Sequence, residues 1–433
     1  MKKFIFIAII FVCSSLVSVA ETTSDLNLNE NDKYKITLQE AMDMALLGNI
    51  ELQEQKRNLG IAKNEVKIAN ALKNPSFVSN FLLGKVTKGN ASQFGVTLPV
   101  EIAKRGVRKK SAEAQSLYVQ NKFSDYEFKL KLRIRTSYFN LLLAKSDLKI
   151  MEERRELLED LADISKKKPK NNDDYTIDVL QADMRLKKQM IQINKSKANV
   201  KTAQYNFNRV LNLENNLTLY DSKEDTLFDK SLNIESNIPG YEELEQIAFK
   251  NRYDIKMSEA KILKTRRDID VAVRKRVPDL YIGGGTAYQT AAQTGNSAVN
   301  GAYVSAGFEI PSLYLYTPEI KNAKLEYEKA QLEYNSIINI TKNIIHTDYD
   351  KLIIAKVNLE HYKSIVNESN EILKLSKQKY KKGQMPLTSL IVIEHSHQEL
   401  LNEYISAIGV YYNSYIDLLK EVGTDNLSSV SDL

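Results

Sequence analysis

The sequence predicts a mainly α-helical fold with a small β part, in which one structural plan occurs twice along the chain. Its 433 residues include only 16 glycines and 8 prolines, which favours long uninterrupted helices. Two alternating stretches, Phe94–Leu98 and Ala302–Ile310, stop at Pro99 and Pro311, and a helical pattern of many turns follows each of them. These features predict helices far longer than those of an ordinary globular domain.

The first 20 residues have the pattern of a signal peptide. Two lysines precede an apolar run over 4–17, and small residues at 18–20 supply a cleavage site. A transmembrane anchor is the alternative, but the apolar run is short for a span. Cys13, the single cysteine, follows a valine rather than the Gly or Ala of a lipoprotein signal, which argues against acylation. Residues 21–36 are expected to be a flexible segment.

Composition argues against several classes of function. The formal net charge is only +6, and basic residues alternate with acidic ones, which argues against a nucleic-acid partner. After the signal peptide the chain has no cysteine, and therefore no thiolate metal ligand or cysteine nucleophile. After the signal peptide no run of about 18 apolar residues occurs, so no transmembrane helix is predicted. Membrane strands remain open, because their sequence signal is much weaker.

The two halves of the chain match in sequence order. Ala45 and Pro75 correspond to Ala248 and Pro278, both at a separation of 203 residues, and Tyr138 corresponds to a tyrosine 211 residues later. Several collinear matches at nearly constant separation indicate a duplication. The predicted units are a first repeat (37–220), a linker (221–240), a second repeat (241–422) and a C-terminal tail (423–433).

Each repeat is expected to begin with one helix and continue with a pair of strands. The helices are predicted over 38–72 and 241–276, and each stops before a proline. The strand pairs are predicted at 77–87 with 93–101 and at 280–289 with 302–310, joined by polar turns.

The second strand of each pair alternates between apolar and polar residues. The apolar residues predicted to share an outward face are Phe94, Val96, Leu98, Val304, Phe308 and Ile310. Alternation over about ten residues is what a tilted strand needs to cross a bilayer, and it is equally typical of a soluble hairpin with one wet face. The first strand, 77–87, alternates poorly.

A very long helix is predicted after each strand pair. In the first repeat the pattern covers 112–165 without proline or glycine, which corresponds to ~80 Å at ~1.5 Å per residue. Apolar and small residues recur at three- and four-residue spacing, which predicts a close-packed seam. Breaks at 166–176 and 380–392 interrupt the helical pattern and a partner helix returns, so each long helix should form an antiparallel hairpin.

No residue pattern indicates an enzyme, a cofactor or a metal site. His395 and His397 are two residues apart and would not share a helix face. The glycines at 283–285 lack the Lys-Ser/Thr and the helix of a phosphate loop, so close strand packing explains them better. The lysine cluster at 166–170 suits an acidic partner, but a solvated loop explains it more simply.

This duplicated order of elements resembles the outer-membrane efflux protein family typified by TolC. The more specific matches are Leu38-Gln-Glu-Ala-Met-Asp-Met-Ala45 with Asn49, Ala71-Leu-Lys-Asn-Pro75, Ile177-Asp-Val-Leu-Gln-Ala182, and Tyr380-Lys-Lys-Gly383 with Leu390-Ile391. The hinge Pro99-Val-Glu-Ile-Ala-Lys-Arg-Gly-Val-Arg108 further resembles the CzcC/CusC-like branch that serves heavy-metal resistance pumps.

The resemblance implies an assembly and a mechanism. Three protomers would each give four strands to a closed twelve-stranded β-barrel in the outer membrane, and their long helices would continue as a periplasmic α-barrel. This homotrimer would conduct substrate passively. Its partners would be a periplasmic adaptor (membrane fusion) protein, an inner-membrane transporter and outer-membrane lipid.

The resemblance also implies where functional residues lie. The hairpin ends are expected to dock on the adaptor, and the strand-ending prolines to mark the passage from barrel to tunnel. Candidate docking residues are Lys168, Pro169, Asp174, Thr176, Asp178, Gly383, Gln384, Met385, Leu387 and Thr388, and candidate junction residues are Pro99 and Pro311. The family glycine of the first hairpin end is missing, and Ser389 and Val392 stand where some members place aspartates, so a charged aperture is not expected from the second hairpin.

Two alternatives remain open at this stage. One is an exit duct for type I protein secretion, which the pore residues do not distinguish from small-molecule efflux. The other is a soluble periplasmic coiled-coil scaffold or adaptor, whose strand pairs would be small soluble hairpins. Recovery of the protein from the soluble periplasmic fraction without detergent would favour the second.

Overall fold

The computed structural model describes residues 34–82, 91–167, 173–213, 218–227, 238–290 and 298–427, so the predicted signal peptide lies outside the described residues. β1 (Tyr34–Ile36) precedes the first repeat, which contains α1 (Leu38–Gly48), α2 (Ile50–Ala69), β2 (Ser76–Leu82), β3 (Ala91–Val100), α3 (Arg105–Lys167) and α4 (Asp173–Leu211) and ends at β4 (Tyr220–Ser222). The second repeat contains α5 (Tyr241–Asn251), α6 (Tyr253–Arg274), β5 (Leu280–Gln289), β6 (Val299–Phe308), α7 (Thr317–Lys381) and α8 (Leu387–Val422). The mainly helical fold and the duplicated order of helix, strands and helical hairpin are confirmed.

The first long helix exceeds its predicted length, and the second is as long. α3 has 63 residues and α7 has 65, so each extends about 95 Å at ~1.5 Å per residue. α3 begins at Arg105 rather than near residue 112, because the last residues of the expected hinge, 105–108, are already helical. Among the described residues, no helix is both long enough and apolar enough to cross a membrane.

The prediction of one helix at the start of each repeat is wrong. In the first repeat the helix is broken at Asn49, and in the second at Arg252. Both residues have extended backbone angles, with φ −65° and ψ 122° at Asn49 and φ −56° and ψ 126° at Arg252. The break has a tertiary cause, because the side chain of each residue binds the end of the return helix of its own repeat.

The four predicted strands form one antiparallel sheet in the order β2-β3-β5-β6. Neighbouring strands pair in register, with Phe77 opposite Val96, Val96 opposite Gly284, and Gly284 opposite Val304. Within the described part of the chain β2 and β6 each pair with one neighbour only, so the sheet of a single protomer has two free edges. β6 spans 299–308 instead of the predicted 302–310.

One face of the sheet is apolar and exposed. Because opposite residues in register share a face, the alternation predicted for β3 and β6 extends across all four strands. Large apolar side chains exposed on this face are Phe77, Phe81, Phe94, Val96, Leu98, Ile282, Val304 and Phe308. β2 contributes two of them, so its described part alternates better than the sequence suggested.

The opposite face is lined by polar and very small residues. Gly95, Gly285 and Tyr303 lie side by side across three strands. A Cβ atom at Gly95 would lie 2.2 Å from the Tyr303 hydroxyl, and one at Gly285 would lie 1.9 Å from the carbonyl oxygen of Phe94. These glycines therefore allow close strand approach under an aromatic ring, as predicted for the 283–285 run.

The helices surround a continuous core that both repeats share. α3 packs against α2, α4, α6 and α8, while α7 packs against α6 and α8, so α2 and α4 lie at one edge of the protomer and α7 at the other. The predicted seams are largely buried. The fully buried seam residues are Leu130, Ile134, Leu141, Leu158 and Ala162 in α3 and Ile345, Leu352, Ala355, Leu359, Val366 and Leu373 in α7. The remaining seam residues, Ser137, Ala144, Leu148, Met151 and Tyr362, are half-buried.

A second, two-stranded sheet was not predicted. β1 lies at the end of the segment 21–36 that was expected to be flexible, and it pairs in parallel with β4. The Tyr138 hydroxyl of α3 donates to the carbonyl oxygen of Ile36 at 3.1 Å, and Lys145 contacts Asp221 at 2.8 Å. This sheet fixes both ends of the first repeat against the middle of α3.

Candidate functional site at the hairpin ends and the strand-to-helix junctions

The end of the second hairpin is a tight, hydrogen-bonded reversal. Gly383 has a positive φ of 70°, a conformation that favours glycine, and its N–H donates to the carbonyl of Tyr380 at 3.0 Å. Gln384 and Thr388 are exposed and Met385 is half-buried, whereas Leu387 is only 2% exposed. Leu387 is thus a core residue, and the surface available to a partner at this hairpin end consists of Gly383, Gln384, Met385 and Thr388.

The end of the first hairpin is described in part. Lys168 and Pro169 lie outside the described residues. α4 begins at Asp173, so the backbone of Asp174 and Thr176 belongs to the first turns of a helix rather than to a loop, as does that of Asp178. The exposed side chains of Ile177 and Leu180 follow on the same helix.

A small apolar cluster lies next to the hairpin ends. It joins Leu158 of α3 to residues of the second hairpin, namely Leu373, Tyr380, Leu387, Leu390 and Ile391. Burial of such side chains is worth about 1.5–3 kcal/mol each, so the cluster holds the two hairpins together near their ends.

A buried ion pair also joins the two hairpins. Arg154 Nε of α3 donates to Glu394 Oε1 of α8 at 2.7 Å, and Arg154 Nη2 lies 3.3 Å from Oε2. The side chain of Glu394 is only 3% exposed and that of Arg154 is 18% exposed. Sequence reasoning missed this pair, because the sequence does not show which residues of α3 and α8 face each other.

Two further titratable groups lie near this ion pair. Burial lowers the pKa of the Lys377 ammonium on α7, and burial lowers the pKa of the His397 imidazole on α8. Nδ1 of His397 is 3.0 Å from the Ser369 hydroxyl, whereas His395 is exposed and contacts Glu399. The two histidines face different surroundings, as predicted from their spacing.

The first strand-to-helix junction is a network of charges. Arg108 contacts Glu101 at 2.7 Å, Lys73 lies 3.5 Å from the same carboxylate, and Lys73 and Lys104 contact Asp279 at 3.2 and 2.9 Å. The hydrogen bond from Arg108 lowers the pKa of Glu101, and burial only partly opposes it. Asp279 precedes β5, so this network ties the first junction to the second repeat.

The basic residues of the first hinge also cap a helix. Arg105 Nε donates to the carbonyl of Asn70 at 2.7 Å, and Arg108 Nε donates to that of Ala69 at 2.9 Å. Carbonyl groups at a helix end lack partners within the helix, and cations there are favourable. The motif that resembles the heavy-metal branch therefore has a structural role at this junction.

The second junction has the same backbone plan but different side chains. Each junction contains a residue in the left-handed region just before the long helix, Ala103 with φ 58° and Tyr316 with φ 53°. In the second junction Arg276, at the end of α6, donates to the carbonyl of Leu315 at 2.7 Å. Four large apolar or aromatic residues of this hinge are exposed, namely Ile310, Leu313, Tyr314 and Leu315.

The two predicted junction prolines occupy different positions. Pro99 lies inside β3, opposite Tyr281, whereas Pro311 lies beyond the end of β6. The expectation that Pro99 ends its strand is therefore wrong. β2 pairs only as far as Thr97, so proline at position 99 removes no ladder hydrogen bond on that side of β3.

Comparison with known proteins supports the fold and gives no sequence relative. No family model and no curated protein matches the chain. Among solved structures, the Campylobacter jejuni CmeC outer membrane channel is 15% identical with a TM-score of 0.71 and covers 98% of this chain and 97% of its own. The open state of the Neisseria gonorrhoeae MtrE outer membrane channel is 16% identical with a TM-score of 0.72 and covers 89% of each chain.

A structure of CusC described as forming a transmembrane channel is 13% identical, with a TM-score of 0.71, and covers 90% of this chain and 94% of its own. At such low identity these likenesses establish the fold alone. This chain has the fold of these outer-membrane channels, as the family resemblance predicted.

Proposed function

We propose that this protein is the outer-membrane channel of a tripartite efflux system. It would passively conduct substrate to the exterior from an inner-membrane transporter and a periplasmic adaptor. The observation that carries the proposal is a sheet with one exposed apolar face whose strands lead directly into helices of 63 and 65 residues. Such a face suits lipid contact, and such helices suit the wall of a tunnel across the periplasm.

The edges of the protomer support a closed homotrimer. The free edges of β2 and β6 leave backbone groups that a lipid environment cannot satisfy, so closure by further copies is required. The helices at both edges carry exposed apolar side chains, which include Ile50, Ile61, Ile68, Leu180, Met184 and Ile191 at the α2 and α4 edge and Leu325, Leu332, Ile354, Val357, Ile372 and Leu375 on α7. Contact between unlike edges generates a ring, and three copies give twelve strands.

The hairpin ends are the proposed adaptor-docking surface. They lie at the far end of the long helices from the sheet, and Gly383, Gln384 and Thr388 are exposed there. Substrate selection and energy would come from the transporter. The Arg154–Glu394 ion pair joins the hairpins near this surface, so separation of the hairpins on opening would have to break it or carry both residues along.

Paired lysine substitutions on β6 test the membrane assignment. Val304 is 88% exposed on the apolar face, and Ser305 points to the opposite face. Val304→Lys should strongly reduce membrane assembly, because one lysine on the lipid face at the bilayer midplane costs about 2–4 kcal/mol, whereas Ser305→Lys should assemble. The readouts are detergent-dependent extraction, trimer mass and planar-bilayer conductance. Recovery of the unmodified protein from the soluble periplasmic fraction would exclude the proposal.

A further inference from the structure

The hinge of the second repeat presents a row of large apolar side chains to the surroundings. Leu313 is 101% exposed, Ile310 is 69% exposed, and Leu315 and Tyr314 are 57% and 51% exposed. Four such side chains within six residues differ from the scattered apolar residues of a normal protein surface. The hinge continues the apolar face of β6, where Val304 and Phe308 are also exposed.

A defined framework holds this hinge in place. Arg276 donates to the carbonyl of Leu315 at 2.7 Å and to the Thr317 hydroxyl at 3.3 Å. The Tyr314 hydroxyl donates to Glu319 Oε2 at 2.8 Å, and its ring packs edge-on against Tyr316 at 5.2 Å. The apolar side chains are therefore presented by a hydrogen-bonded backbone.

The first hinge has no comparable surface. At the corresponding place its charged residues turn inward, where Glu101 binds Arg108 and Lys104 binds Asp279. Ile102, whose exposed fraction is 45%, is the one large hydrophobic residue of that hinge that is exposed. Two hinges with the same backbone plan thus present different chemistry to the outside.

Basic residues lie beside the apolar hinge. Arg274, Lys275 and Arg276 at the end of α6 are all exposed, and Arg276 contacts the hinge directly. Apolar side chains, tyrosine rings and adjacent cations are the combination found where proteins meet the boundary between acyl chains and phosphate headgroups.

We propose that residues 310–315 form an interfacial anchor that inserts into the phospholipid leaflet on the side of the long helices. The inference rests on the proposed function, which places the sheet in a membrane. Each protomer has one such anchor, at the second junction, and it sets the depth of the channel in the membrane. The first junction stays in water because its side chains form an ion-pair network. The exposed basic residues at 274–276 contact lipid phosphates.

The absence of tryptophan from the sequence makes a direct test possible. Leu313→Trp introduces a single tryptophan at a fully exposed position, where it should not disturb folding, and Leu315→Trp is a second variant. The full chain is reconstituted into phosphatidylcholine and phosphatidylglycerol vesicles that carry bromine at either a shallow or a deep acyl position. We expect blue-shifted emission, loss of most fluorescence with shallow bromine, weaker quenching with deep bromine, and little quenching by aqueous iodide.

Two control variants separate the possible outcomes. Val304→Trp on β6 should be quenched by brominated lipid, and Gln384→Trp at the far hairpin end should be quenched by iodide only. Blue-shifted emission at position 313 without bromine quenching would mean that another copy of the chain covers the hinge, and iodide quenching would mean that water does; either result overturns the anchor. If Val304→Trp is also insensitive to brominated lipid, the proposed function fails as well.

Discussion

The two repeats form the same helix break with different chemistry. At the first break the amide of Asn49 donates to the carbonyl groups of Val210 and Leu211, at 3.2 and 2.9 Å. At the second break the guanidinium of Arg252 binds the Asp254 carboxylate at 2.6 Å and the carbonyl of Glu421 at 2.8 Å. The comparison teaches that the duplicated feature is the backbone path, since a neutral amide or an ion-pair network can hold it.

The strand-to-helix junctions repeat this lesson. Ala103 and Tyr316 adopt the same left-handed conformation, yet one hinge turns charges inward and the other exposes apolar side chains. The two hinges therefore share a backbone conformation and differ in the side chains that they expose.

The largest expected difference lies between the two breaks. Arg252→Met should lower the free energy of unfolding by up to about 3–5 kcal/mol, because it removes the guanidinium from both Asp254 and the mostly buried Glu421, which keeps only the more exposed Lys420. Asn49→Ala should cost about 1–3 kcal/mol, because it leaves only neutral groups unpaired. Urea unfolding of the detergent-solubilised protein measures both, and equal losses would contradict the distinction.

The next largest effect should come from the ion pair between Arg154 and Glu394, which joins the two repeats. Glu394→Gln removes the charge that faces Arg154 but keeps one hydrogen bond, so we expect a loss of about 1–3 kcal/mol. Under the proposed function it should also raise single-channel conductance in planar bilayers, because the hairpins separate more easily. Glu399→Gln on the same helix is the matched control, since its side chain is 63% exposed, and it should change neither quantity.

Low pH should destabilise the helix break at Arg252 more than the break at Asn49. Burial raises the pKa of Asp254, but the hydrogen bond and the charge of Arg252, together with the backbone N–H of Ile255, outweigh it and hold the pKa below the ordinary value of 3.8. A lowered folded-state pKa means that this stabilisation is complete above the unfolded value and is lost as the pH falls through the folded value. Hydrogen exchange in α5 and α6 should therefore accelerate below about pH 4 more than in α1 and α2.

The smallest expected effect concerns the left-handed residues. Ala103→Gly should stabilise the protein by up to about 1 kcal/mol, because glycine adopts positive φ without a Cβ clash. Tyr316→Gly relieves the same conformation but loses the ring contact with Tyr314, so its gain should be smaller or absent. A loss of stability in Ala103→Gly would show that its side chain has a packing role.

Much of the fold was predictable from local patterns. The alternation in β3 placed Phe94, Val96 and Leu98 on one exposed face, and the three- and four-residue spacing placed Leu130, Ile134 and Leu141 in the core. Both patterns follow from the repeat distances of strand and helix, which act within a few residues. At the candidate site, Gly383 could be placed at a reversal for the same reason, whereas Leu387 could not be recognised as buried.

Periodicity and turn chemistry are local, so the class of fold, the duplication, the order of elements and the apolar face of the sheet could be derived from the sequence. The breaks of the first helices at Asn49 and Arg252, the pairing of β1 with β4 and the contact of Arg154 with Glu394 could be seen only in the folded chain. Each of these depends on residues far apart in the chain, whose juxtaposition is fixed only when the long helices pack.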